Sequence, residues 1–149
     1  ELPGKTKRYK FVRDEGWERK LLEKSLRGLK AECIEEEKKF KITVQLPDKR
    51  TQKVFIRFDR QDMHGNQIIV ISSICGKIDN SLFQDCLKEN ANLSYGALGI
   101  AKLGEEDMFV VTDTQLAHTA DPQELKSAIL HIAQKGDVLE KVLTGQDVH

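Results

Sequence analysis

Residues 121–145 read DPQELKSAILHIAQKGDVLEKVLTG. Asp121 is a helix cap whose carboxylate accepts bonds from free backbone N–H groups. Pro122 suits the first helical position because its missing N–H is not needed there. Glu124, three residues after the cap, completes the start signal. Leu125, Ala128, Ile129, Ile132, Ala133, Leu139, Val142 and Leu143 then recur at helical spacing, and Gly145 is a stop. Burying five large residues of this stripe contributes about 8–15 kcal/mol before entropy, at ~1.5–3 kcal/mol each. The helix therefore belongs to a core.

Just upstream, Tyr95, Ala97, Gly99 and Ala101 alternate with Gly96, Leu98 and Ile100. A polar turn, Gly104-Glu105-Glu106-Asp107, leads into Met108–Val111 and on toward Leu116. These two runs predict a hairpin. Before them, Ser81–Asn90 fits a short helix capped by Asp79 or Asn80, with Leu82, Phe83, Cys86 and Leu87 on one side.

Ile68–Cys75 is apolar or small on both faces, as expected of a strand covered on both sides. Val54, Ile56 and Phe58 share one face of a preceding strand, with Phe55 on the other. Phe40, Ile42, Val44 and Leu46 alternate with Lys41, Thr43 and Gln45 in the strand before that. A first helix is expected from Asp14, with Trp17, Leu21, Leu22, Ser25, Leu26 and Leu29 as its apolar stripe and Gly28 weakening its last turn. Residues 1–13 carry Lys5, Lys7, Arg8, Lys10 and Arg13 and predict a flexible basic leader or linker. The domain spans 14–145, and 146–149 form a tail.

The expected order is α-β-β-β-α-β-β-α. Short turns between strands imply a mostly antiparallel five-stranded sheet packed with three helices, an α+β fold. At 149 residues one domain suffices.

Basic and acidic side chains balance at 24 each, and aromatic residues make up only 6%. Both facts disfavour nucleic acid, which calls for a basic excess and stacking platforms. The longest apolar run, Ile68–Ile71, is far short of the ~20 residues of a membrane span. Cys33, Cys75 and Cys86 are odd in number with no C-x-x-C spacing, so the expectation is three buried, reduced thiols in a cytoplasmic protein.

Catalytic and metal signatures are missing from the pattern. His64, His118, His131 and His149 form no ligand spacing. His118 lies near Asp113 and Asp121, and His64 follows Asp62, as solvated loop histidines commonly do. Gly96, Gly99 and Gly104 lie in or beside a strand, without the strand–turn–helix context of a phosphate loop. No cofactor or metal is expected. Ile69 and Ile71 occupy one face of their strand, Ile68 and Val70 the other. If the helices gather on one face, the second calls for another cover, and an uncovered patch marks an interaction site.

The element order resembles the type III secretion chaperone-like fold, and within it the YbjN-like family. The segment SYGALGIAKLGEEDMFVVTDTQLAHTADPQELKSAILHIAQKGDVLEKVLTG, residues 94–145, carries the resemblance. It implies a small, often dimeric, non-enzymatic domain that holds a partner polypeptide extended on hydrophobic patches. It transfers no site residue. Trp17, Leu21, Phe55, Ile69 and Ile71 are the expected contact candidates. Competing expectations are a regulatory or oligomerisation domain from a larger protein, and an enzyme using His118 or His64.

Overall fold

The computed structural model describes residues 15–144. The basic leader, the Asp14 cap, the Gly145 stop and the 146–149 tail lie outside the described residues. The elements run α1 (Trp17–Ser25), β1 (Ala31–Glu35), β2 (Phe40–Leu46), β3 (Arg50–Gln61), β4 (Gln67–Lys77), α2 (Phe83–Asn90), β5 (Ala97–Leu103), β6 (Glu106–Leu116) and α3 (Pro122–Thr144). All ladders are antiparallel, in the order β1-β2-β3-β4-β6-β5.

The α+β class, the three helices and the antiparallel sheet match expectation, but the sheet has six strands and not five. The added strand is β1, AECIE, which pairs with β2 from Ala31↔Val44 to Glu35↔Phe40. It lies at the sheet's edge, and four of its five residues are exposed. An edge strand with no buried face has no alternation to betray it. α1 ends at Ser25, and Gly28 sits at φ 82° in the turn that follows. β5 begins at Ala97, two residues later than the alternation suggests.

α3 lies across β3, β4 and β6 on one face, with α1 beside it and α2 at the β5 end. Asp121 caps α3 as expected, its Oδ1 accepting from the Glu124 N–H at 2.9 Å. Ile42, Val54, Ile56, Ile69, Ile71, Phe109 and Val111 point toward the helices and meet Leu125, Ala128, Ile129, Ile132 and Ala133 in one core. Trp17 packs edge-to-face on Phe58, and Phe83 on Phe109. No described helix lies on the second face. β4 is central, and Val70 on that second face is also buried.

The C-terminal half of α3 departs from the apolar stripe. Val138 and Val142 are exposed, while Asp137 and Glu140 are buried. The sheet beneath them is polar in turn. Gln52 donates to Ser73 Oγ at 2.8 Å, and Ser73 donates to the Lys53 carbonyl at 2.7 Å. Arg50 reaches Asp137 at 2.6 Å. Gly136 makes this approach possible. A Cβ there would stand 2.8 Å from Ser73 Oγ and 3.0 Å from both Gln52 Nε2 and Ser73 Cβ. Buried polar groups are tolerated where they find partners, and Gln52, Ser73 and Asp137 each find one at this helix–sheet contact.

Candidate functional site

β5 is the sheet's other edge, and its sequence, ALGIAKL, carries a single charge. Antiparallel strands turn alternate residues' N–H and C=O groups to opposite sides. Ala97, Gly99 and Ala101 lie opposite Thr112, Val110 and Met108 of β6, with the two alanine side chains on the face away from the helices. A side chain at Gly99 would meet nothing within 4 Å. Leu98 and Ile100 point to the helix side, where α2 stands off from the strand.

The space between them is an apolar cleft of about 310 Å³. Phe83, Cys86 and Leu87 of α2 form one wall, Leu98 and Ile100 of β5 the other, and Phe109 closes the base. Leu87 is 71% exposed and Ile100 52%. Exposed apolar side chains facing one another across a cleft are what an apolar ligand surface requires. Burial raises the Cys86 thiol above its ordinary value, with Asp85 adding to the shift.

At the end of α2, Asn90 turns its side chain onto β5. Leu98 N–H donates to Asn90 Oδ1 at 2.6 Å, and Asn90 Nδ2 donates to the Leu98 carbonyl at 3.3 Å. Both backbone groups of Leu98 therefore point to the open edge and are met there by an amide. By the same alternation, the backbone groups of Ile100 and Lys102 face the open edge beyond it.

The residues singled out in the sequence fall elsewhere. Ile69 and Ile71 are fully buried under α3, in the core and out of a partner's reach. Trp17 and Leu21 are half-buried where α1 packs on the core. Phe55 alone is on the face away from the helices, half-buried, with Lys39 Nζ 4.8 Å from its ring centroid. The five do not form one surface. His64 and His118 are exposed in turns, and no three His, Cys, Asp or Glu among the described residues are grouped to hold a metal ion. His131 meets the Tyr95 ring edge-to-face at 5.0 Å, as a boundary histidine would.

The thiols divide. Cys75 is buried and desolvation pushes it up to about 12. Cys33, expected inside, is exposed on β1. Partial desolvation raises it, and the Glu35 carboxylate adds to the shift.

Leu87, Ile100 and Asn90 are the residues that sequence reasoning missed as a site. The sequence pattern sets Leu87 on one side of the helix with Leu82, Phe83 and Cys86, and it lines the cleft beside Phe83 and Cys86, but at the exposed mouth. Its exposure is a consequence of where β5 ends the sheet. No described helix is long and apolar enough to cross a membrane. The chain matches no family model and no curated protein.

Proposed function

We propose that this chain is a non-enzymatic protein-binding module, similar in kind to the secretion-chaperone-like and YbjN-like proteins, that holds an apolar segment of a partner polypeptide. The observation that supports it most is the apolar cleft between α2 and β5, the edge strand of the sheet among the described residues. A cleft with Leu87 and Ile100 exposed at its mouth offers hydrophobic contact to an apolar segment. The contact surface is then a helix–strand seam at one end of the sheet.

A fluorescein-labelled, reduced and carboxymethylated α-lactalbumin serves as an unfolded model polypeptide. It should bind the native chain in an anisotropy titration, and light scattering should report a one-to-one complex. Leu87→Asp places a charge at the mouth of the cleft and should weaken binding at least tenfold, since one lost apolar anchor plus a desolvated charge exceeds ~1.4 kcal/mol. Binding that is absent at the highest soluble concentration, or indifferent to Leu87→Asp, overturns the proposal.

A further inference from the structure

Asn90 makes an unusual pair of bonds. Its amide exchanges one donor and one acceptor with a single residue, Leu98, at the open edge of β5. Two residues that exchange both bonds are the mark of the closely bonded pair in an antiparallel ladder. A parallel neighbour bonds to two different residues instead. The Asn90 side chain thus occupies the place of one peptide unit of an antiparallel neighbour strand. The ladder positions that would follow, at Ile100 and Lys102, lie past the reach of that one amide.

We infer that Asn90 is a placeholder, and that an extended peptide adds to β5 as an antiparallel seventh strand, displacing the Asn90 amide from Leu98. This rests on the polypeptide-binding reading above and names its mode. Three features fit an extended backbone as the occupant. The edge offers backbone donors and acceptors in register. The cleft lies on the side to which Leu98 and Ile100 point. The other side of β5 is flanked by Ala97, Gly99 and Ala101, which leave room for short side chains.

Geometry then sets the partner's pattern. A residue directly opposite Ile100, bonded to it through both backbone groups, has its side chain on the same face as Ile100. That face opens into the cleft. The favoured segment therefore alternates a large apolar residue, which enters the cleft, with a small or polar one on the far face. Strand addition of this kind draws affinity from main-chain bonds and selectivity from alternate side-chain pockets.

A labelled decapeptide alternating leucine with threonine, with lysine at each end, is the probe. Its affinity is measured on the native chain by anisotropy, beside two N-methylated versions. Methylating the leucine nitrogens removes the N–H groups that face Ile100 and should cost at least tenfold. Methylating the threonine nitrogens, which face solvent, should change affinity by less than twofold. Asn90→Ala removes the competitor for Leu98 and should tighten binding of the unmethylated peptide several-fold. A purely structural cap gives the opposite result, a less stable protein that binds no better.

Equal sensitivity to the two methylations, or sensitivity to threonine methylation alone, overturns antiparallel addition. Should Asn90→Ala fold poorly, the methylation pair on native protein still decides. If the decapeptide fails to bind while the unfolded α-lactalbumin binds, this inference falls and the polypeptide-binding reading stands. If neither binds, both fall. A doubled mass for the native chain alone, with no peptide bound, assigns the edge to a second copy and overturns the inference.

Discussion

The two edges of this sheet are built to opposite rules. β1 is five residues long and carries Glu32 and Glu35, one on each face. Glu35 is ion-paired to Arg19 of α1. β5 is seven residues long and carries one lysine. Ile34 on β1 and Ile100 on β5 are each 52% exposed, yet their surroundings differ. Ile34 sits opposite Lys41 with glutamates along the strand, and Ile100, beside Phe109, faces Leu87 across an apolar cleft. A short, charged edge discourages a neighbouring strand, whereas a longer apolar one invites it. Equal exposure therefore does not mean equal function; what surrounds the side chain decides.

The middle of the sheet sets the scale against which both edges are measured. Gly136→Val drives a branched side chain into Ser73 and Gln52. Overpacking of this kind costs roughly 1–3 kcal/mol, which exceeds the few tenths that valine recovers over glycine in helix propensity. Urea unfolding should show that loss. Binding of the model polypeptide per folded molecule should stay unchanged, because neither edge is touched. A binding loss equal to that of the edge variants would erase the distinction between edge and centre.

The next effect falls on β5 alone. Ile100→Asp should weaken polypeptide binding at least tenfold, while Ile34→Asp leaves it within twofold. Both side chains are half-exposed, so both variants should fold. Equal losses in an anisotropy titration would show that general surface hydrophobicity, and not the cleft, holds the polypeptide.

The charges on β1 supply the converse test. Replacing Glu32 and Glu35 together by valine removes the Arg19 pair and leaves a β-branched apolar edge. The surface ion pair itself contributes little to stability. Self-association should nonetheless rise, visible as a concentration-dependent increase in sedimentation coefficient. A variant that stays as dispersed as the parent would mean that β1's shortness, not its charge, protects it.

The difference between the edges also explains what was legible in the sequence. α3 was readable because Asp121, Pro122 and Glu124 announce its start and the apolar stripe through Ala133 is buried as expected. β2 and β3 were readable because one face is core and the alternation is strict, and β4 because it is apolar or small on both faces. β1 left no trace, since a strand without a buried face has no period to detect. The burial of Asp137 and Glu140 was not legible because nothing local reveals that Gly136 lowers the helix onto Gln52 and Ser73. The site failed for a related reason. Ile69 and Ile71 are apolar because they are core, and hydropathy alone does not separate a core residue from a contact residue. The Asn90–Leu98 pair joins a helix end to a strand edge across eight residues, a link that only the packing of α2 beside β5 creates.

The smallest expected effect uses the thiols as reporters of the two edges. Thiolate is the reactive form, and all three thiols are raised, so alkylation by iodoacetamide should be slow at neutral pH and quicken as pH rises. Cys33, exposed on β1, should label first. Cys86, lining the β5 cleft, should follow, and Cys75, held near 12 inside the core, should label only on unfolding. Adding the unfolded α-lactalbumin should slow Cys86 a few-fold and leave Cys33 alone, because the polypeptide covers one edge only. Mass spectrometry of the labelled peptides reads both sites in one sample. Protection of Cys33 with Cys86 unchanged would place the polypeptide on the charged edge, and the reading of β5 as the binding edge and β1 as the protected one would have to be reversed.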